Sequence, residues 1–169
     1  MRAFRPKRPV AAERSADPVA CREAALGLLE RTRRTRSDLS RRLDERGFDP
    51  TAIEAVLDRL SELKLVDDVE YARAFLAGRW GRRAAGWRRL EQDLRARGVA
   101  SEDIARGRAL LVEQTGAVDE VTAARKVVEQ AARRYQSLDP RLRRQRLYAL
   151  LTRRGFDSDV IAEALHNDR

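Results

Sequence analysis

The sequence predicts an all-α protein made of three tandem three-helix units, and three observations support this prediction. A skeleton of two leucines, a glycine and an isoleucine recurs with identical internal spacing at Leu39, Leu43, Gly47 and Ile53, at Leu90, Leu94, Gly98 and Ile104, and at Leu147, Leu151, Gly155 and Ile161. Apolar residues around each copy follow helical spacing. No proline lies between Pro50 and Pro140, and β-branched residues are too scattered to build strands.

A unit of this kind is too small to bury its own apolar stripe well. We therefore expect the three units to stack in a row and to share their cores, which gives an elongated, curved, solenoid-like body. The predicted limits are 1–18 for a disordered basic tail and 19–65, 66–115 and 116–169 for the three units.

The first unit begins with a helical stripe over residues 19–33. Either Thr35 or Ser37 is placed to cap the second helix, and Gly47 is expected to end it in a left-handed conformation. The pair Asp49-Pro50 then combines an N-cap residue with a proline at the first helical position, which predicts the start of a third helix.

The second unit starts with Asp67 as an N-cap and Glu70 three residues later, in a capping-box arrangement. Its first helix is expected to run toward Gly81. Residues 86–111 supply the other two helices, of which the last is expected to be the weakest because Gly107 lies in its middle.

The third unit follows a break at Gly116. Val121, Ala124 and Val128 begin a helical stripe, and Asp139-Pro140 repeats the cap-and-proline start of the first unit. A final helix follows Gly155, which completes a prediction of nine helices.

Composition and charge restrict the classes of function. The chain has 36 basic against 27 acidic residues, a formal net charge of +9, and only three of the basic residues are lysines. Arginine suits phosphates and carboxylates, although an arginine-rich coding bias of a GC-rich genome explains the same excess. One cysteine, no apolar run of membrane-spanning length and no secretory signal favour a cytoplasmic protein without a membrane anchor.

Three basic runs lie at equivalent places in the units and predict contacts with phosphates or acidic protein surfaces. Two tryptophans are interleaved with the second run. We expect Trp87 to be packed, whereas Trp80 is either packed or exposed for an aromatic contact with a base or a partner. The predicted binding residues are Arg31, Arg33, Arg34 and Arg36; Arg79, Arg82, Arg83, Arg88 and Arg89; and Arg143, Arg144, Arg146, Arg153 and Arg154.

An acidic cluster of Asp67, Asp68 and Glu70 permits three interpretations. Acidic side chains in a first helical turn stabilise the helix dipole, so the cluster has a purely structural explanation. It is also a candidate docking patch for a basic partner, or a magnesium site of a nuclease. We favour the first two interpretations and predict no metal.

No catalytic constellation or cofactor motif is visible. His166 is the single histidine, and the sequence holds neither GxxxxGK[ST] nor GxGxxG. The sequence therefore predicts a binding protein with no catalytic residues and no cofactor.

Over residues 20–166 the chain resembles the bacterial RecX family. The resemblance is carried by RTRRTRSDL followed by Gly47-Phe48, by LVDDVEYA over 65–72, by GWRRLEQDLRARG in the second unit and by RRGFDSDVIAEAL at the end. The loosest match is the first helix of the third unit.

The resemblance implies an all-helical protein of three three-helix units that lies in the groove of the RecA–DNA filament. It implies inhibition of the RecA ATPase and of strand exchange. The expected partners are RecA, single-stranded DNA and double-stranded DNA, and we expect a monomer by default, since the sequence itself gives no oligomeric state. The alternative is a stand-alone helix-turn-helix protein that reads DNA sequence as a transcriptional regulator.

Overall fold

The computed structural model describes residues 15–80, 85–116 and 119–166, and these residues form nine α-helices and no β-strand. The helices are α1 Pro18–Leu29, α2 Arg36–Glu45, α3 Pro50–Glu62, α4 Asp68–Arg79, α5 Trp87–Arg95, α6 Ser101–Thr115, α7 Glu120–Tyr135, α8 Pro140–Arg153 and α9 Ser158–Ala164. We call α1–α3 module 1, α4–α6 module 2 and α7–α9 module 3. The all-α, three-module prediction is confirmed.

Two compact units divide the chain between Asp67 and Asp68, so module 1 is one unit and modules 2 and 3 together are the other. The predicted limits of the three repeats and the predicted elongated shape stay predictions.

The helix ends follow the residues that the sequence singled out. Thr35, not Ser37, caps α2, because its hydroxyl accepts the Asp38 N–H at 3.0 Å. Asp49 and Asp139 accept the N–H groups of Thr51 and Arg141, each at 2.9 Å, and so cap α3 and α8.

The glycine of each repeated skeleton is left-handed, with φ angles of +87° at Gly47, +77° at Gly98 and +84° at Gly155. These angles explain why the same residue recurs at the end of α2, α5 and α8, since other residues adopt this conformation only at a cost.

Each module has its own hydrophobic core, which corrects the expectation of shared cores. The leucines and isoleucine of each skeleton are buried in a cluster that contains residues of that module only. Three short helices suffice because the first helix of each module packs on the third: α1 on α3, α4 on α6 and α7 on α9. Cys21 lies in the module 1 core, where burial raises the pKa of its thiol.

The end of the predicted tail belongs to module 1. Ser15 pairs with the backbone on both sides of Phe48, through bonds from its N–H to the Gly47 carbonyl and from the Asp49 N–H to its own carbonyl, each 2.9 Å long. Asp17 caps α1 by accepting the Val19 N–H at 2.8 Å. The prediction of a disordered tail is therefore wrong for residues 15–18, and residues 1–14 lie outside the described part.

Helix α1 is shorter than predicted and ends at Leu29. The Arg34 side chain donates from Nε to the Leu28 carbonyl at 3.2 Å and so satisfies an acceptor at the helix end. As a result, Arg31 and Arg33 lie in the connection to α2.

Gly107 does not interrupt α6, which extends over 15 residues. A Cβ at this position would lie 2.7 Å from the Val69 carbonyl oxygen and 2.9 Å from the Ala72 Cβ. The glycine therefore lets α6 approach the backbone of α4, and this packing offsets its low helix propensity.

Candidate nucleic-acid interface

The first basic run is largely neutralised inside module 1. The carboxylate of Asp38 accepts from Arg34 at 2.7 Å, from Arg41 at 2.6 Å and from Arg42 at 2.9 Å. Partial burial raises the pKa of Asp38, but hydrogen bonds from these three arginines outweigh burial and lower that pKa to about 2. Arg34 is thus a structural residue, with a side chain only 15% exposed.

Replacing Asp38 by Asn should destabilise module 1 by about 2 kcal/mol at pH 7, because the carboxyl pKa falls from 3.8 to about 2 on folding. A depressed carboxyl pKa stabilises the fold above the unfolded pKa. The difference between wild type and Asp38→Asn should therefore shrink as pH falls from about 4 to 2. Urea unfolding followed by circular dichroism at several pH values measures it.

The matched control for that experiment is Glu45→Gln in the same network. Glu45 pairs with Arg41 where both side chains are more than half exposed, so its loss should destabilise the module far less than the loss of Asp38. Equal effects of the two substitutions at pH 7 would show that Asp38 is not the centre of the network.

Arg36 is also committed to the fold. Its guanidinium donates to Glu54 at 2.6 Å and to Asp58 at 2.7 Å, which ties α2 to α3. Arg33 is engaged as well. The side chain of Arg31 is exposed and has no hydrogen bond or ion pair to any residue of the described part, so it is the predicted contact of this run that stays open to a partner.

The second run frames a pair of stacked tryptophans. The rings of Trp80 and Trp87 lie 4.0 Å apart at 14°, and Trp87 is 3% exposed, as expected for a packed residue. Trp80 is half-buried by this stack, so one of its faces is not available to a base. The Arg79 guanidinium lies 3.9 Å from the centroid of the Phe75 ring. Arg82 and Arg83 lie outside the described residues.

Modules 2 and 3 are joined by a close backbone contact at the start of α5. The Gly86 N–H donates to the Arg154 carbonyl at 2.9 Å. A Cβ on Gly86 would lie 2.2 Å from the Gly155 oxygen, and a Cβ on Gly155 would lie 2.5 Å from the Arg89 Cβ. No side chain other than hydrogen fits between these two segments.

A carboxylate from module 3 caps the same helix. The Trp87 N–H donates to Glu120 Oε1 at 3.0 Å, whereas the N-cap residue Gly86 offers no side chain. Burial raises the pKa of Glu120, and the Trp87 hydrogen bond opposes that rise. Sequence reasoning missed Glu120, since nothing in the chain order relates residue 120 to the start of α5.

This contact brings the second and third runs together. Arg88 and Arg89 begin α5, and Arg153 and Arg154 end α8 beside it; we call these four residues the junction cluster. Arg89 pairs with Asp93 at 3.3 Å. The side chains of Arg88, Arg153 and Arg154 have no hydrogen bond or ion pair to any residue within 15–80, 85–116 or 119–166. The junction cluster is therefore a concentration of largely uncompensated positive charge.

The rest of the third run divides into structural and open residues. Arg144 donates to the Leu165 carbonyl at 3.0 Å and so fixes the end of α9. Arg143 is half-buried and engaged. The side chain of Arg146 is exposed, without a partner among the residues that the structure describes.

The acidic residues around the start of α4 are paired. Asp67 lies 3.7 Å from the Lys64 ammonium, and Glu70 accepts two hydrogen bonds of 2.7 Å from Arg73. Asp68 is engaged as well. In the described residues, no three His, Cys, Asp or Glu side chains are grouped in a way that suits a metal ion. None of the described helices is both long and apolar enough to cross a membrane.

Comparison with known proteins identifies all three modules. Residues 21–60, 67–107 and 118–165 match the models of the first, second and third three-helix domains of RecX. The chain is 38% identical over 154 residues to the regulatory protein RecX of Halorhodospira halophila, covering 90% of each chain. It is 35% identical to that of Thermobifida fusca, covering 82% of this chain and 73% of the relative.

Solved structures agree on the fold. A crystal structure of RecX from Lactobacillus salivarius superposes with a TM-score of 0.79 at 21% identity, covering 88% of this chain and 94% of that one. A second crystal structure of a regulatory protein RecX gives a TM-score of 0.74 at 26% identity, covering 85% of this chain and 70% of that one. The relatives are named as regulatory proteins and not as enzymes. The chain belongs to the RecX family of regulatory proteins.

Proposed function

We propose that this protein binds the RecA–DNA filament in its groove and inhibits the RecA ATPase and strand exchange. In this way it modulates homologous recombination and DNA repair. Membership of the RecX family supports the proposal, and the lack of a recognisable catalytic motif fits a regulator that acts by binding. We further propose that it acts as a monomer in the cytoplasm, where the filament forms.

The junction cluster is the observation that carries the proposal. A filament groove is lined by phosphates and charged protein side chains, so a ligand of the groove needs cations that are not already neutralised. Arg88, Arg153 and Arg154 meet that requirement, and in support of the proposal the Gly86–Gly155 contact joins the start of α5 to the end of α8, the two helix ends that carry these residues.

We narrow the set of proposed contacts according to the bonds that each side chain already makes within the fold. Arg34, Arg36 and Arg144 bond to groups of the fold, so we assign them structural roles first. The proposed contacts are then Arg31, Arg146 and the junction cluster. The residues Asp67, Asp68 and Glu70 are proposed as a secondary docking patch for basic RecA surface.

The single-stranded-DNA-dependent ATPase of the cognate RecA, titrated with this protein, tests the proposal. We expect inhibition. Inhibition at substoichiometric amounts would indicate action at filament ends, whereas inhibition only near saturation would indicate occupancy of the groove. An unchanged ATPase with intact DNA binding would contradict the proposal and favour the helix-turn-helix alternative, for which a random-sequence selection should then yield one preferred duplex site.

A further inference from the structure

We infer that the outer surface of α8 binds single-stranded nucleic acid, with Tyr148 as a stacking platform for a base and with Arg141 and Arg146 as phosphate contacts. The binding itself does not depend on RecA. The inference rests on the proposed function only because that function brings the protein to single-stranded DNA.

Helix α8 differs in charge from its counterparts in the other modules. The second helix of module 1, α2, carries three arginines and three acidic residues, and that of module 2, α5, carries three arginines and two acidic residues. Helix α8 carries five arginines and no acidic residue over 14 positions. The repeat thus provides an internal comparison in which only α8 has no acidic residue within the helix; the nearest carboxylate in the chain is that of its N-cap residue, Asp139.

Three of these arginines are exposed without a partner among the described residues; Arg153 belongs to the junction cluster, and Arg141 and Arg146 lie further along the helix. The side chains of Arg141 and Arg146 have no hydrogen bond or ion pair to any described residue, in contrast to Arg144, which is held by the Leu165 carbonyl. In the repeat, Arg146 stands where module 1 has Asp38, the residue that neutralises three arginines there. An arginine in place of that acid leaves this part of the surface strongly cationic.

An aromatic ring lies on the face of α8 that carries Arg141, whereas Arg146, two positions before the ring, lies on the other flank of the exposed half of the helix. Tyr148 is 46% exposed, no ring of the described residues stacks on it, and its spacing of seven from Arg141 places both on one helical face. The equivalent positions hold Ser40 in module 1 and Glu91 in module 2, both polar. Leu142, 38% exposed, adds apolar area one turn before Arg146.

An aromatic platform among unpaired arginines matches a single strand better than a duplex or an acidic protein. Bases of a single strand are free to stack on a side chain, whereas bases of a duplex are already stacked. An acidic peptide would satisfy the arginines but would not require an aromatic ring.

The test is fluorescence anisotropy of a labelled oligothymidylate with the full-length protein in the absence of RecA. Tyr148→Ala should weaken binding by about five- to a hundredfold, the range expected for one stacked base, and Tyr148→Phe should bind as wild type does. Binding to a DNA hairpin duplex should not change in Tyr148→Ala. Circular dichroism checks folding, and Tyr148→Gln is a second variant should the alanine protein fail to fold.

A control with the same loss of charge distinguishes binding at this surface from general electrostatic attraction to DNA. The double variant Arg141→Ala/Arg146→Ala should lose more affinity and more salt dependence than Arg22→Ala/Lys126→Ala, which removes two exposed charges on other helices. Equal losses in the two double variants would overturn the inference.

The remaining outcomes are also decisive. Unchanged oligothymidylate binding by Tyr148→Ala overturns the inference whether or not the protein inhibits RecA. Loss of binding in both Tyr148→Ala and Tyr148→Phe would overturn stacking and assign a hydroxyl contact in its place. Binding of polyglutamate as tight as that of oligothymidylate would overturn it in favour of an acidic protein partner. If instead the expected DNA results are obtained and RecA is not inhibited, the inference stands and the proposed function fails.

Discussion

Replacing Gly155 by Ala should destabilise the unit that contains modules 2 and 3 by about 3 kcal/mol. Gly155 has a φ of +84°, so any residue with a Cβ would have to adopt the unfavourable left-handed conformation at this position. A Cβ would also lie 2.5 Å from the Cβ and from the backbone nitrogen of Arg89. Neither neighbouring segment can yield without breaking the Gly86–Arg154 hydrogen bond.

Gly47 is the matched control, because it stands at the same position of the repeat with a nearly identical φ of +87°, and no atom lies within 4 Å of the place that a Cβ would take. Gly47→Ala should therefore lower the free energy of unfolding only by the cost of the left-handed backbone conformation, about 1 kcal/mol. The difference between the two variants isolates the contact between modules 2 and 3.

Tryptophan fluorescence during urea unfolding is the readout for Gly155→Ala, since Trp80 and Trp87 are the two tryptophans and both lie in module 2. Module 1 holds no tryptophan, so circular dichroism during urea unfolding is the readout for Gly47→Ala. Gly155→Ala should shift the fluorescence transition to lower urea by the equivalent of about 3 kcal/mol, and Gly47→Ala should lower the stability measured by circular dichroism by about 1 kcal/mol. Similar small shifts in both variants would show that the backbones of modules 2 and 3 are not in close contact at Gly155.

Replacing the four arginines of the junction cluster by alanine should weaken binding to the RecA–DNA filament by about 30- to 1,000-fold, the sum of four charge contacts of roughly 0.5–1 kcal/mol each. The cluster lies at the surface, and the Arg154 carbonyl that accepts from Gly86 is kept in the variant. We therefore expect an unchanged fold. Binding is measured by anisotropy of a filament assembled on labelled single-stranded DNA.

A control variant with the same reduction in charge replaces four exposed basic residues outside the predicted runs: Arg22, Arg59, Arg106 and Lys126. It should bind several-fold more tightly than the junction variant. The salt dependence of the junction variant should also be shallower, by roughly 0.7 in the logarithmic slope for each phosphate that it no longer neutralises. Equal binding by the two variants would show that the junction cluster does not contact the filament.

Much of the fold was predictable from short segments of the sequence. The spacing of Leu39, Leu43 and Gly47 and of its two copies predicted helix, left-handed stop and helix, because periodicity and glycine conformation are properties of short segments. The caps at Asp49 and Asp139 were predictable for the same reason.

Tertiary partners were not predictable in this way. The sequence suggested shared cores, but whether three helices close on themselves depends on how near α4 and α6 approach, which Gly107 decides through space. Glu120 caps a helix that begins 33 residues earlier, and Arg36 binds acidic residues of α3. Neither contact is indicated by the sequence around the residues that make it.

Among the predicted binding residues, some contacts were predictable from local spacing and others were not. Arg34, Asp38 and Arg42 are spaced four residues apart, which predicts ion pairs along α2 and the residues just before it. These ion pairs explain why the first run is neutralised. The meeting of Arg88 and Arg89 with Arg153 and Arg154 follows only from the contact between modules.

Co-sedimentation of the protein with RecA filaments on single-stranded DNA, compared with the same DNA without RecA, tests the central claim most directly. At physiological salt we predict that the wild-type protein pellets with the filament and that the junction variant stays in the supernatant. Equal binding of the wild-type protein to bare DNA and to the filament, or no binding to the filament at all, would contradict the proposal that this chain is a ligand of the RecA filament.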